Sequence, residues 1–279
     1  MAEPFGPYRL ERTINVGSIG QVFLAGRASA EGDAAATNGA EPIVVKRLHR
    51  ELARRPAHVQ LFLEEGRVAR RFRHPNLVHA FDAGAVGRDH YIAMDLVRGP
   101  NLAQLVERGP VSPRVAVRIA VDLCGALEHM HRSGVVHCDV SPTNILIGPD
   151  RAQLTDFGVT NPVGEPQPQV RGTVPYMSPE QARGEAVDGR SDVFAVAAIV
   201  WELLAGQPLF HRAQPYLSLA AVVEDPLPPE DAAATPALAA LAPALGRALA
   251  KLPAERTASC AELAAALARL SGAATSSSP

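Results

Sequence analysis

At Gly99 the hydrophobic period of this 279-residue chain changes, and that change limits the folds open to it. Before it, short runs of partly alternating apolar and polar residues predict strands. Tyr8 to Leu24 reads as a hairpin turning at Gly17 and Gly20, IVVKRL (Ile43 to Leu48) as a further strand, and Val78 to Ala83 with His90 to Val97 as a strand pair. One helix interrupts them from Val59 to Phe72, where Leu61, Phe62, Val68, Ala69 and Phe72 recur at roughly helical spacing. His74-Pro75-Asn76 closes it, because the residue before a proline disfavours helix. After Gly99 the period is helical over Pro113 to Ser133, Ser191 to Ala205, Pro236 to Lys251 and Ala258 to Leu270, the last capped by Ser259 with Glu262 three residues on. The expected class is α+β, a β-rich part followed by a larger helical one.

Two stretches fall outside this pattern. Residues 29–42, SAEGDAAATNGAEP, carry too little apolar surface to offset their ordering entropy and are expected to form a mobile insert. Residues 271–279, GAATSSSP with its preceding Ser, are expected to be a disordered tail.

Composition excludes several function classes. A formal net charge of -2 gives no broad pull towards nucleic acid or an anionic bilayer, so neither is an expected partner. The opening MAEPFGPYRLER has an acid and early prolines where a signal peptide has a basic start and an apolar core, which predicts a cytoplasmic location. The most apolar run, Val193 to Trp201, is closed by Glu202 and falls well short of the roughly 18 residues a spanning helix needs. Cys124, Cys138 and Cys260 form no C-x-x-C pair and are expected to be free thiols.

The remaining motifs carry chemistry. INVGSIGQV offers Gly17 and Gly20, which let backbone approach a phosphate closely, with Val22 just beyond. Lys46 is a charge inside an apolar strand, a costly placement without a partner or a phosphate, and Glu65 stands on the following helix. In VVHCDVSPTNILI, Asp139 and Asn144 are five apart, and Asp156 follows a short apolar run in LTDFGVT. A flexible cover, one cation, metal-binding oxygens and an orienting carboxylate are the parts that phosphoryl transfer asks of a protein.

In these segments the chain resembles the protein kinase superfamily, particularly the bacterial kinases of eukaryotic type. Gly-rich loop, strand Lys, helix Glu, H-x-D-x-x-x-x-N, D-F-G and S-P-E occur in the family's order, and the resemblance covers about Tyr8 to Leu270. It implies a bilobal kinase-like fold, with an N-lobe over about 8–97 and a C-lobe over about 98–270. It implies Ser/Thr protein kinase activity with ATP and Mg²⁺ on a protein substrate. A pseudokinase that binds nucleotide or a partner is the alternative.

By that resemblance Lys46 holds the α and β phosphates and pairs with Glu65, Asn144 and Asp156 bind Mg²⁺, and Asp139 accepts the substrate hydroxyl proton. Asn15, Gly17, Gly20, Val22, Val44, Met94, Asp95, Val97 and Leu146 line the nucleotide site, Asp95 and Val97 as the hinge. Thr173 belongs to the substrate platform. Asp192 holds the catalytic loop, and Glu180 pairs with Arg256.

The chain departs from the family pattern at several positions. Asn15 replaces the first loop glycine, Val44 the usual alanine, Ser141 the usual lysine, and Ala69 a bulky apolar residue. Cys138 stands where regulated members have the arginine that clamps a phosphorylated loop. His129, His131 and His137 with Cys138 suggest a metal cluster, but i and i+2 of a helix face different ways, and His137 is expected to pack instead. The activation segment 161–171, NPVGEPQPQVR, has no hydroxyl to phosphorylate. The chain is therefore expected to be active as synthesised, or gated by a separate regulatory protein, and not switched on by phosphorylation of this segment.

Overall fold

The computed structural model describes residues 2–28, 41–166, 171–227 and 235–275, with side chains to residue 270. The chain divides into two compact units, Met1–His74 with Val78–Val97, and Pro75–Leu77 with Arg98–Pro279. Residues 29–40 of the expected insert lie outside the described residues.

The first unit is a six-stranded antiparallel sheet in the order β1-β2-β3-β4-β6-β5. Its strands are β1 (Glu3–Phe5), β2 (Tyr8–Val16), β3 (Gly20–Arg27), β4 (Ile43–Leu48), β5 (Ala80–Val86) and β6 (Asp89–Asp95). The sequence pair Val78–Ala83 and His90–Val97 is shifted in the structure, because the turn falls at Gly87, whose φ of +60° suits glycine. On one side of the sheet Phe5, Tyr8, Leu10, Phe23, Val45 and Tyr91 form a buried cluster. The Tyr8 and Tyr91 hydroxyls both donate to Asp82 Oδ2, over 2.6 and 2.9 Å, so this corner buries no unsatisfied phenol.

One helix, α1 (Pro56–Arg71), crosses that sheet with Phe62, Glu65, Gly66 and Ala69 buried at i, i+3, i+4 and i+7. Its seat is unusually close. A Cβ on Gly66 would lie 2.8 Å from Ala83 Cβ and 3.2 Å from Ile92 Cγ1, so only glycine lets the helix approach β5 and β6 this far.

The second unit is mainly helical: α2 (Leu102–Val106), α3 (Pro113–His131), α4 (Pro179–Ala182), α5 (Gly189–Ala205), α6 (Pro215–Glu224), α7 (Pro236–Ala248) and α8 (Cys260–Thr275). Two-stranded pieces join β8 (Ile145–Ile147) to β9 (Ala152–Leu154), and β7 (Val135–Val136) to β10 (Asn161–Pro162). α5 is the post of this unit. Every residue from Ser191 to Val200 is buried, as are Glu202, Leu203 and Leu204, which is why its pattern reads as continuous apolar sequence and not as a stripe. Asp188 caps its start and Gly206, at φ +77°, ends it in a left-handed turn.

At their C-terminal ends three helices differ from the sequence reading by two residues or more. α3 ends at His131, not Ser133. α7 ends at Ala248 because Lys251 leaves the helix to donate to Val222 O over 2.6 Å, at the last turn of α6. α8 runs on to Thr275, into the stretch expected to be disordered, since Gly272 is followed by two alanines that favour helix. Among the described residues no helix is long and apolar enough to cross a membrane.

Candidate active site

Lys46 lies mid-strand in β4, paired with Val22 of β3 on one side and Ile92 of β6 on the other. Both neighbours are apolar, so its ammonium needs a specific partner. Lys46 Nζ reaches Glu65 Oε1 at 2.6 Å, with side-chain exposures of 11% and 5%, so a charged hydrogen bond offsets burial of both groups. The close seat of α1 at Gly66 sets that distance, since Glu65 is its neighbour in the chain.

The glycines of the first hairpin divide in role. Gly17 is exposed and bends the loop, its N–H donating to Gly20 O over 2.9 Å. Gly20 is buried, and a Cβ there would stand 2.4 Å from Arg47 O, so the β3–β4 crossing alone demands glycine at this position. Asn15 pairs with Val22 in register and is exposed. Val44 is buried between Leu24 and Met94, and Met94 is half-buried. Asp95 N donates to His79 O over 3.1 Å, so at this residue the carbonyl is the backbone group suited to a further ligand. Val97 follows the end of β6.

In the second unit the site is a loop hung from α5. Asp192, buried in the first turn of α5, accepts from His137 N through Oδ2 and from Cys138 N through Oδ1, both over 2.9 Å. These bonds and that from Gln181 Nε2 to Cys138 O, 2.8 Å, hold Cys138 at φ +66°, a conformation that costs a non-glycine residue on the order of 1–3 kcal/mol. The following residue, Asp139, is thereby fixed. Its Oδ1 accepts from Thr173 N and Thr173 Oγ1, each over 2.8 Å, and its Oδ2 from Asn144 Nδ2 over 2.9 Å. Burial pushes the Asp139 carboxyl above the usual range and the charge of Asp156 adds to that, while Thr173, His137 and Asn144 pull it down.

Asn144 gives its amide nitrogen twice to Asp139, to the carbonyl over 3.0 Å and to Oδ2. Its amide oxygen is then the atom chemically suited to a cation. Thr155 N donates to Asn144 O over 2.9 Å, which ties the strand before Asp156 to Asn144. Asp156 itself sits at φ +67°, with Gly158 N donating to its Oδ1 over 3.3 Å. One carboxylate and one amide oxygen make a sparse, hard donor set, which fits a divalent ion such as Mg²⁺ that keeps waters and phosphate oxygens as its other ligands. Leu146 is half-buried in β8, two residues past Asn144. Ser141, where the family pattern has lysine, is fully buried against Thr143 Oγ1 at 3.1 Å.

A second buried ion pair lies within the second unit. Arg256 reaches Glu180 through two contacts of 2.7 and 3.0 Å, and Ser191 Oγ donates to the same carboxylate over 2.6 Å. Tyr176 OH, on the segment leading from Thr173, donates to the buried Glu202 over 2.7 Å.

The sequence reading missed several of these partners. His131, weighed only as part of a metal cluster, instead puts Nε2 2.7 Å from Asp192 Oδ2, and a Cβ on Gly189 would strike its ring at 2.7 Å. His137 is buried against Phe157, ring centroids 5.6 Å apart, and accepts the Asp139 N–H through Nδ1. Burial comes first in raising the Cys138 thiol pKa, then the charge of Asp192, and adjacent Asp139 contributes less than either.

A model of the protein kinase domain matches residues 8–233. The probable serine/threonine-protein kinase PknB of Corynebacterium glutamicum is 36% identical over 280 residues, covering 95% of this chain and 42% of that protein. The serine/threonine-protein kinase PknB of Mycolicibacterium smegmatis is 36% identical over 278 residues, covering 94% and 43%. The chain thus spans about two fifths of the length of these relatives. Among solved structures, the PknI kinase domain of M. tuberculosis is similar with a TM-score of 0.73 at 30% identity, covering 96% of this chain and 97% of that one.

Proposed function

The chain belongs to the protein kinase domain family, whose members use ATP and a divalent metal, and from that premise we propose that it phosphorylates serine and threonine hydroxyls of a protein substrate. In this chemistry ATP with its metal supplies the phosphoryl group, and the protein contributes position and charge.

Each residue has a defined task in this reading. Lys46, oriented by Glu65, presents its ammonium to the α and β phosphates. Asn144 offers an amide oxygen and Asp156 a carboxylate to the metal. Asp139 accepts the proton of the attacking hydroxyl at a carboxylate oxygen. Gly17 lets the loop backbone come close to phosphate, while Asn15, Val22, Val44, Met94, Leu146 and the backbone of Asp95 and Val97 bound the adenine side. Thr173 faces the protein substrate, Asp192 holds the loop that carries Asp139, and Glu180 with Arg256 supports the platform.

The observation that supports this reading best is the Thr173–Asp139 contact. Two donors from one threonine fix a carboxylate whose pKa burial has raised, as a proton acceptor in such a site needs. The test is transfer from labelled ATP with Mg²⁺ to a generic basic protein. Wild type is expected to label it, and Asp139→Asn to lose on the order of 10²-fold or more. Equal labelling by the two proteins, or none by a wild type that still binds nucleotide, would overturn the proposal.

A further inference from the structure

The backbone leading into Asp139 is held one peptide plane at a time, and not by one group. Asp192 fixes two planes, accepting from His137 N and from Cys138 N over 2.9 Å each. The next plane joins Cys138 to Asp139, and its holds are different. Gln181 Nε2 donates to its carbonyl over 2.8 Å, and its N–H donates to His137 Nδ1 over a longer 3.3 Å. Of these two bonds the shorter one is made by Gln181, from a separate element.

Gln181 is 2% exposed and lies in the four-residue α4. Its amide oxygen accepts from Ser178 N over 3.1 Å and from Ser178 Oγ over 3.2 Å, closing the capping box at the start of α4. Ser178 N can only donate and Cys138 O can only accept, so one orientation of the amide serves both ends. Gly172 completes the seat. At φ +118°, it would put a Cβ 2.9 Å from Cys138 O, so only glycine lets the two backbones pass this closely. Thr173 then bonds the Asp139 carboxylate. A single segment, 172–181, therefore grips both the Cys138 carbonyl and the Asp139 side chain.

We propose that Gln181 is a positioning residue for phosphoryl transfer, fixing the Cys138–Asp139 peptide and with it the direction of the Asp139 carboxylate. The inference rests on the kinase reading given above. Cys138 sits at φ +66°, which a non-glycine residue keeps only while its surroundings impose it. Without Gln181 Nε2 the buried carbonyl loses its 2.8 Å donor, and the plane is free to turn. Asp139 then swings away from the hydroxyl whose proton it accepts, a cost that falls on kcat more than on nucleotide binding. The same rotation turns the Cys138 side chain out of its seat among Val136, Val159 and Val187.

The test is Gln181→Met, close in length but unable to donate, made in wild type and in Cys138→Gly, where glycine keeps a positive φ unaided. In wild type it is expected to lower kcat roughly ten- to hundredfold, with KM for ATP changed less. In Cys138→Gly the same substitution should cost less than about threefold, because the strain it releases is already gone. Alkylation by iodoacetamide, followed by peptide mass spectrometry, gives a second readout. In Gln181→Met, Cys138 should react at least about tenfold faster, while Cys124 and Cys260, buried in α3 and α8, stay as protected as in wild type. Gln181→Glu keeps an acceptor for Ser178 N but sets a second oxygen against Cys138 O, so it should give the same loss of kcat and stands in if Gln181→Met does not fold. An unchanged rate, equal losses in the two backgrounds, or all three thiols reacting together would overturn the assignment. Alkylation needs no phosphoryl transfer. If wild type transfers nothing, the kinase reading fails, and the reactivity of Cys138 still decides whether Gln181 holds the loop.

Discussion

Thr173 donates both its backbone N–H and its hydroxyl to one oxygen of Asp139, each over 2.8 Å. Both bonds favour the ionised carboxylate, against burial and the charge of Asp156, which raise its pKa. Proton acceptance requires the ionised form, so kcat/KM is expected to fall on the acid side at a pH above the ordinary carboxylate value of about 4. Thr173→Val removes the hydroxyl bond, hence raises the pKa further. The acid limb should move to higher pH, with kcat down roughly tenfold. A pH–rate profile whose acid limb is the same in both proteins would show that Thr173 does not act on Asp139.

Arg256 and Glu180 test the scaffold. Removing one member of a pair this deeply buried leaves the other charge uncompensated, so Arg256→Ala is expected to cost about 3–5 kcal/mol in a urea titration. Burial would raise the Glu180 pKa, but the hydrogen bonds and charge of Arg256, with Ser191, bring it below the ordinary value. A depressed carboxyl contributes stability that is present above its unfolded pKa and is lost as pH falls through its folded pKa. Wild type should therefore lose stability below the ordinary glutamate value of about 4.3, and Arg256→Ala should lose less over the same window. Parallel pH dependences in the two proteins would contradict this.

What the sequence made readable, and what it hid, follows from how far each signal reaches along the chain. β4 was bounded at Ile43 and Leu48 because its apolar run is continuous and its ends are abrupt. β1 went unread because EPF is three residues with a proline, too short to show a period. α6 was missed because PYLSLAAVVE is apolar nearly all round, so no stripe marks it as a helix. In the site, Asp139, Asn144 and Asp156 stand at spacings fixed by one loop and one short hairpin, which a linear motif can record. His131, Gln181 and Gly66 act across elements, where sequence spacing carries no information about their partners. Cys138 shows the same limit, since sequence reveals its neighbour Asp139 but not its burial or the nearby Asp192.

Gly66 deserves its own test, since its missing side chain sets the height of α1 above the sheet. Gly66→Ala would place a methyl 2.8 Å from Ala83 Cβ and 3.2 Å from Ile92 Cγ1, closer than atoms pack, and the helix must lift. Glu65 then moves from Lys46. Lys46 in this reading positions phosphates for the transition state, so kcat is expected to fall about tenfold or more while KM for ATP changes less. Ala83→Gly in the same protein removes the opposing methyl and should restore most of kcat, although Ile92 still crowds the site. A general loss of stability would not be repaired by a second glycine in a strand, so failure of this rescue would mean that Gly66 is needed for folding and not for the position of Glu65.

The described part of the activation segment is already held without any phosphate. Asn161 and Pro162 pair with Val136 and Val135, Val163 N donates to Gly134 O over 3.1 Å, and Gly164 N to Val187 O over 2.8 Å. Val187 N in turn donates to Glu165 O over 3.3 Å, and Pro166 bridges Ala186. Phosphorylation orders such a segment in other proteins by supplying charge to an arginine clamp. Here the clamp position is Cys138, a buried thiol, and the two nearby hydroxyls are engaged. Thr160 Oγ1 donates to Phe157 O over 3.1 Å and Thr173 Oγ1 to Asp139. A phosphate on either would have to break those bonds, and on Thr173 it would set a dianion against the Asp139 carboxylate. Phosphorylation at these positions should therefore inhibit, if it acts at all. Protein made in bacteria and treated with phosphatase is expected to keep its initial rate towards a protein substrate. A large drop that preincubation with ATP restores would show that the segment is switched by phosphate after all.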